Sequence, residues 1–457
     1  MLNYSPENIL FFKTNKCVSL YKNIFVRSLL PIADRLMKTE FSQSLNMIFE
    51  MNSWSSGEIE QWQNIKLQNL VKHAYENTSY YRNLFDRMKF RPEDVRTKSD
   101  LSALPILKKS DILQNPDDFI PRNINRIKYI NAATGGTSGD PLQFLLDYRS
   151  KSFGTACSVY YWNKFGYKYG QKYIALGSSS LSINNKISLK KRIYNNLRGR
   201  ISLNGIGLTD EVLNEYVSLI KREKIHFIYG YASSIFLLAE FVIKKSIKIN
   251  QIKACFTTSE VLTDYYRTVI KSAFNCDILD CYGASDGGVT AFEIKANLYR
   301  VGYNCIVEVH ESYAENTGKI LCTDLFNYAM PFIRYELGDE IRLAPSSEGD
   351  GYNGQIISEI FGRTSDVFRL GNGRVLTGPG FTVLFKDINV KAYHIELTGP
   401  LEISVEIIKK NSFNTKDENT IVSTFKKHAG HDCNIILKFV DSIEYSGSGK
   451  SRFFYSG

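Results

Sequence analysis

The residues best suited to chemistry fall in one short run, Thr134-Gly135-Gly136-Thr137-Ser138-Gly139-Asp140-Pro141. Its first six positions hold three glycines and three hydroxyls. Glycine lets backbone N–H groups approach a polyphosphate, and Ser and Thr hydroxyls add donors. A flexible polar turn uses the same residue types, but rarely so many hydroxyls and glycines together. The run does not fit G-x-x-x-x-G-K-[ST], so it is not an ordinary P-loop. Near the C-terminus, Gly447-Ser448-Gly449-Lys450-Ser451 imitates the tail of that motif. Glu444 stands where its first glycine belongs, which leaves Lys450 as a cation in a glycine-rich turn.

Three further constellations are modest one by one. Asp280-Cys281-Tyr282-Gly283-Ala284-Ser285-Asp286-Gly287-Gly288 follows a strand. An acid there can hold Mg2+ and a ring can stack on a base; a plain strand-to-turn junction looks similar. Thr323-Asp324-Leu325, Pro331, Arg334-Tyr335 and Gly338-Asp339 come next. A carboxylate such as Asp339 can accept both hydroxyls of a ribose, although Gly-Asp is also a turn signal. Last, Phe361-Gly362-Arg363-Thr364-Ser365-Asp366 precedes Gly371 and Gly373. Arg and Asp beside glycines suit nucleotide contact and a hinge, or an exposed hairpin.

Elements must hold these runs in place. Residues 1 to about 90 read as amphipathic helices, with Leu67, Leu70, Val71 and Ala74 on one face. Residues 127–130 and 142–146 read as strands flanking the glycine run, as in a hairpin. From 211 to 283 helices alternate with short apolar strands at 227–229, 254–257 and 278–282, which predicts parallel βα units. Such sheets bind ligands at the carboxyl ends of their strands, where Ser259-Glu260 and the 283–286 run lie. From about 300 to 360 the strands are expected to shorten and turn antiparallel or barrel-like, with Gly recurring about every ten residues. A small α+β unit follows from about 367, with strands at 401–408 and 435–440 around a helix at 416–428.

The bulk numbers fit this picture. The chain has 457 residues, 43% hydrophobic and 23% charged, which is globular composition for two or three domains. A net charge of +10 suits anionic substrates such as nucleotides. Charge alone does not argue for nucleic acid, and none is expected as a partner. A basic stretch runs from Lys186 through Lys190, Lys191, Arg192, Arg198 and Arg200. It reads as a solvated loop, with a peripheral membrane contact as the alternative. Eight scattered cysteines without a C-x-x-C pair read as reduced thiols. No apolar run approaches the ~20 residues of a membrane span. No secretory signal is read at the start, so a cytoplasmic protein is expected.

The order and spacing of the motifs resemble the acyl-adenylate-forming superfamily. The likeness runs from about residue 60 onward. The loop in its Thr-Gly-Gly-Thr-Ser-Gly form, Tyr161-Trp162, and Met330-Pro331-Phe332-Ile333-Arg334-Tyr335-Glu336-Leu337-Gly338-Asp339 are most similar to phenylacetate–CoA ligases and their CapK-type relatives in capsule and surface-polysaccharide biosynthesis. The resemblance implies an α/β fold: a large adenylate-forming body of parallel α/β sheets with a small β-barrel-like subdomain, then a small C-terminal α+β domain. The expected boundaries are a helical extension over 1–60, an AMP-binding domain over 61–366 and a mobile domain over 367–457.

It implies roles as well. Thr134, Gly135, Gly136, Thr137, Ser138 and Gly139 would hold the ATP phosphates. Tyr282 would line the adenine, with Gly283, Ala284 and Ser285 against the nucleotide. Asp286 would bind Mg2+, where the family usually has Glu. Asp339 would take the ribose hydroxyls and Arg363 would help bind nucleotide. Asp366 would be the hinge, and Lys450 would approach the carboxylate and the α-phosphate. The implied activity is ATP-dependent activation of a carboxylic acid as acyl-AMP, with release of pyrophosphate and transfer to an acceptor. An amine acceptor in polysaccharide assembly is the first expectation, and a thioester with CoA the second. Asp286, and Asp140 where many relatives have Lys, keep a third reading open, a non-catalytic nucleotide-binding homologue.

Overall fold

The glycine and hydroxyl run sits between two strands, as its apolar flanks predict. Strand β1 (Tyr129–Ala133) pairs antiparallel with β2 (Gln143–Asp147), with Ala133 opposite Gln143. The first strand starts later than the sequence suggests, because a 3-10 turn at Ile124–Arg126 occupies its approach. The structure, a computed structural model, describes residues 34–35, 40–133, 142–177, 198–205, 208, 210–345, 352–363, 367–372, 375–377, 388–409, 412–441 and 454–456.

The βα alternation folds as expected. Strands β3 (Tyr173–Gly177), β4 (Arg200–Asn204), β5 (Phe227–Tyr231), β6 (Ala254–Thr258) and β7 (Asp277–Ala284) pair in parallel, in the order β4-β3-β5-β6-β7. Every residue of β3 and β6 is buried, which is why both read as continuous apolar runs. Alternation along β6 sends Cys255 to one face and Phe256 to the other. On the Cys255 face pack the helices Asp210–Arg222, Ala232–Lys244 and Asp264–Phe274, through Leu213, Ile220, Ile235 and Ile270. On the Phe256 face lies the helix Tyr148–Lys164, whose Trp162 stacks on Phe256 with centroids 4.6 Å apart. Tyr161 stacks on Phe292 at 4.4 Å. The Tyr-Trp pair therefore packs the core.

Six antiparallel strands extend the same sheet. They are β8 (Val289–Lys295), β9 (Leu298–Val301), β10 (Cys305–Ala314), β11 (Thr317–Asp324), β12 (Tyr335–Leu343) and β13 (Ile356–Arg363). The full order is β10-β11-β12-β13-β9-β8-β7-β6-β5-β3-β4. Val289, Val301, Val307, Ile320, Ile341 and Ile357 point into one shared core, so this half curls as a barrel-like unit. It stays hydrogen-bonded to the parallel half through β7 and β8. Apart from β9, with 4 residues, the strands do not shorten here, contrary to the sequence reading. Strand β10 has 10 residues against 5 in β3. The recurring glycines mark turns and bulges in long strands instead.

At the N-terminal side, the helix Phe41–Met51 packs Phe41, Leu45, Ile48 and Met51 into the core beside Tyr160 and Trp162. Part of the stretch read as an extension thus belongs to the large body's core. The helix Ser56–Asn77 starts at a capping box between Ser55 and Glu58. Its stripe of Leu67, Leu70, Val71 and Ala74 is buried against Tyr81, Phe332 and Tyr335. A further helix spans Ser79–Met88.

After a short hairpin of β14 (Val367–Arg369) and β15 (Val375–Thr377) comes a second sheet. Its strands are β16 (Val390–Gly399), β17 (Glu402–Lys409), β18 (Asn434–Phe439) and β19 (Phe454–Ser456), in the order β18-β17-β16-β19. The helix Thr415–Ala429 buries Ile421 and Phe425 against Ile403, Val405 and Ile407. This is the small α+β unit read from the sequence. No helix among the described residues is long and apolar enough to cross a membrane.

Candidate active site

The site grows from the carboxyl end of β7. Residues 285–288 turn the chain back into antiparallel β8. Gly288 takes φ +64 there, and a Cβ on Gly287 would come within 2.7 Å of Leu337. The left-handed backbone at Gly288 favours glycine, and a side chain on Gly287 would have to displace Leu337. Tyr282 is half-buried, Ser285 is exposed, and Ala284 and Asp286 are intermediate.

Strand β12 meets this turn. Tyr282 donates its hydroxyl to Asp339 Oδ2 at 2.6 Å. Tyr335 donates to Asp286 Oδ2 at 3.3 Å. Both phenols are pushed well above their ordinary pKa by burial first, with the facing carboxylate adding to it. Each phenol therefore keeps its proton and acts as a donor that fixes a carboxylate oxygen. Asp339 owes its direction to a bulge. Glu336 pairs with Leu321 and Glu340 with Lys319, so residues 337–339 lie opposite Ile320 alone. Gly338 supplies φ +80 within the bulge. On the neighbouring strand Arg363 stands directly across from Asp339.

The entry to β12 is clamped. Arg334, at φ +55, donates its backbone N–H to Thr323 Oγ1 at 3.0 Å. Its Nε donates to Glu308 at 3.1 Å, and Nη1 donates to the carbonyls of Leu104 and Ser102. Burial raises the Glu308 carboxyl, and the Arg334 charge opposes that. A non-glycine residue in the left-handed region is held only by surrounding contacts of this kind.

Other acids are structural. Asp280 is buried, and it accepts from Thr257 at 2.5 Å and from Tyr299 at 2.8 Å. Burial pushes it up to about 6. Within its run, Asp286 is the acid left at the turn. Glu260 accepts the Ser233 N–H at 2.9 Å, at the start of the helix Ala232–Lys244. A carboxylate thus already serves that positive helix end. Among the described residues His310, Glu311 and Glu336 lie close enough together for a cation. Lys319 is seated there, 2.7 Å from Glu311. Among the described residues, seven cysteines are buried free thiols.

The structure therefore brings together Tyr282, Gly283, Ala284, Ser285, Asp286 and Asp339, with the Arg363 backbone beside them. Thr134, Gly135, Gly136, Thr137, Ser138, Gly139, Asp366 and Lys450 lie outside the described residues. Sequence reasoning missed Tyr335 as a partner of Asp286, and Ser150, Asn304 and Glu308 as supports. Their partners lie 49 or more residues away, except that Asn304 and Glu308 reach 16 and 26. No local pattern announces such contacts.

Comparison with known proteins follows the same lines. The profile of the CapK C-terminal domain family matches residues 373–456. Protein CapK of Staphylococcus aureus is 22% identical over 99% of this chain and 99% of its own length. A phenylacetate-coenzyme A ligase of Aromatoleum evansii is 24% identical over 68% of this chain and 72% of its own. Among solved structures, 2-hydroxyisobutyryl-CoA ligase in the postadenylation state, in complex with 2-HIB-AMP, superposes with a TM-score of 0.66 at 16% identity. That match covers 89% of this chain and 91% of the ligase. The large mixed sheet and the small terminal sheet are thus the fold of an acyl-CoA ligase solved with an acyl-AMP, and the similarity to Protein CapK and to a phenylacetate-coenzyme A ligase supports a CapK-type, phenylacetate–CoA-ligase-like member of the acyl-adenylate-forming enzymes.

Proposed function

We propose that this enzyme uses ATP to activate a carboxylic acid as acyl-AMP and passes the acyl group to an amine in the assembly of a capsule or O-antigen polysaccharide. The convergence of Tyr282, Asp286 and Asp339 at the carboxyl end of β7 carries the adenylation reading. That place is where open α/β sheets take their ligands.

The residues fit the roles. Asp339, aimed by the bulge and held by Tyr282, accepts the two ribose hydroxyls. Tyr282 and the backbone of 283–285 lie beside the base. Asp286 offers a hard oxygen at a partly exposed turn, a donor suited to Mg2+ that takes its other ligands from phosphate and water. When bound, Mg2+ supplies positive charge against the phosphates. Thr134, Gly135, Gly136, Thr137, Ser138 and Gly139 cradle the phosphates, and Arg363 adds a nucleotide contact. Asp366 serves as the hinge of the small domain.

A carboxylate resists nucleophilic attack because it is already charged. Its oxygen attacks the α-phosphorus, the bond to the β-phosphate oxygen breaks, and pyrophosphate leaves with its electron pair. Lys450 neutralises charge between the two anions as they meet. The acceptor nitrogen then attacks the acyl carbon, and AMP departs. The names of relatives favour a second acceptor. The phenylacetate and 2-hydroxyisobutyryl ligases make CoA thioesters by name, so a CoA thiolate is the alternative nucleophile. Buried free thiols fit a reducing, cytoplasmic setting.

Product analysis separates the acceptors. The enzyme is incubated with ATP, Mg2+ and a panel of acids, together with amino sugars, amino acids or CoA. Mass spectrometry showing an amide supports the first reading. A thioester with CoA and no amide would replace it with the second.

A further inference from the structure

One buried carboxylate at the meeting point of the motifs has no part in that chemistry. Asp324, the last residue of β11, is 1% exposed. Its Oδ2 accepts the Ser150 hydroxyl at 2.5 Å, and its Oδ1 accepts the Phe326 N–H at 3.0 Å. Ser150 is the third residue of the helix Tyr148–Lys164, which follows β2 directly. It hangs from the strand that leaves the glycine and hydroxyl run. Beside it, Asp147 donates its N–H to Asn327 Oδ1 at 3.0 Å, and Asn327 donates to the Met330 carbonyl at 3.0 Å.

The turn that carries Asp286 rests on the same carboxylate. A Cβ on Gly288 would lie 2.2 Å from Asp324 Oδ2. Asn304 pins the Gly288 carbonyl with a 2.7 Å hydrogen bond. Three pieces of the site therefore touch one side chain: the helix behind the β1–β2 hairpin, the 285–288 turn, and the segment that runs on to Asp339.

Stability alone explains this choice poorly. Burial pushes the carboxyl up to about 7, and the Asp147 charge acts in the same direction against the hydrogen bonds from Ser150 and Phe326. An ionised acid buried in this way costs folding free energy. An asparagine fills the same space without the charge. Groups kept at such a cost cluster at functional sites.

We infer that Asp324 is a positioning residue for MgATP: with Ser150 it locks the start of the helix Tyr148–Lys164, which follows β2, to the 285–288 turn, and so holds Asp286 and Tyr282 in place for the nucleotide. The inference rests on the adenylating reading of the site. It adds a function for residues that touch no substrate.

The test is calorimetric titration of MgATP into the full chain, which needs no knowledge of the acid. The proteins are wild type, Asp324→Asn, Ser150→Ala, Ser150→Thr, the Asp324→Asn/Ser150→Ala double variant and Asp339→Ala, each with its melting temperature. Asp324→Asn and Ser150→Ala are expected to weaken MgATP roughly tenfold, the effect of one hydrogen bond to a charged group. The double variant should be little worse than either single one, since both break one link. Ser150→Thr keeps the hydroxyl and should restore the affinity. The melting temperature of Ser150→Ala should stay within a few degrees of wild type. If Asp339→Ala weakens MgATP while both link variants bind as wild type does, the inference is wrong and the site reading stands. If Asp339→Ala also binds normally, the site reading fails and takes the inference with it. Should Asp324→Asn fail to fold, Ser150→Ala and Ser150→Thr decide the question by themselves.

Discussion

Tyr282 and Asp339 are 57 residues apart in sequence and joined by a 2.6 Å hydrogen bond. The bond ties the last parallel strand to the bulged strand β12. Two motifs that look like ordinary turns become one site through it. Removing the carboxylate removes the proposed ribose acceptor and leaves the Tyr282 hydroxyl without this partner. Asp339→Ala should weaken ATP binding by about 1.5–3 kcal/mol, and Tyr282→Phe by about 1 kcal/mol. Calorimetric titration of MgATP checks both. Equal affinity in Asp339→Ala and wild type would count against a ribose role.

We propose Lys450 for the adenylation step and not for nucleotide binding. Lys450→Ala should abolish pyrophosphate release while the ATP dissociation constant changes by less than about threefold. The expected loss of rate is about a hundredfold or more, as for removal of one preorganised charge-stabilising group. A variant that releases pyrophosphate at the wild-type rate removes Lys450 from the mechanism.

Arg334 holds the entry of β12 through Glu308 and two carbonyls. Arg334→Ala leaves Glu308 largely buried without its cation and should cost roughly 2–3 kcal/mol of stability. Urea unfolding of the variant checks this. Unchanged stability would mean that the segments around Ser102 and Leu104 hold the strand without the clamp.

Asp324 and Asp280 make stability depend on pH with a definite sign. Burial raises their carboxyls to about 7 and about 6 from an ordinary value of 3.8. Folding favours the protonated form of both. Their contribution is therefore fullest below the ordinary value and is lost as pH rises through the raised one. Relative to wild type, Asp324→Asn should gain stability as pH rises from about 4 to 7, by at most about 1.4 kcal/mol per pH unit, and then level off. Asp280→Asn should level off about one unit lower. Denaturant unfolding at a series of pH values measures the difference. Titrations shared by variant and wild type, such as that of His73, cancel in it. A flat difference across that range would contradict the burial argument.

What the sequence made legible follows from range. The β1–β2 hairpin, the βα units and the terminal α+β unit rest on local periodicity, and each appears where expected. Tyr161 and Trp162 carried a family likeness but no visible role. Their partners Phe292 and Phe256 lie far along the chain, and the structure shows them to be core stacks. The run from Asp280 to Asp286 offered two acids to a metal. Only contacts from Thr257 and Tyr299, on other strands, show that Asp280 is internal. Gly338 read as a turn, whereas the register against β11 makes it a bulge that aims Asp339. The link from Ser150 to Asp324 spans 174 residues and has no local signature at all.

The most direct test of the account is acid-dependent exchange of labelled pyrophosphate into ATP, across a panel of aromatic, aliphatic, hydroxy and sugar carboxylic acids with Mg2+. Exchange follows reversible acyl-AMP formation and requires no acceptor. The account predicts exchange with at least one class of acid, none without acid, and none in Lys450→Ala. A protein that binds MgATP yet supports no exchange with any of these acids would contradict adenylation and favour a nucleotide-binding role without catalysis.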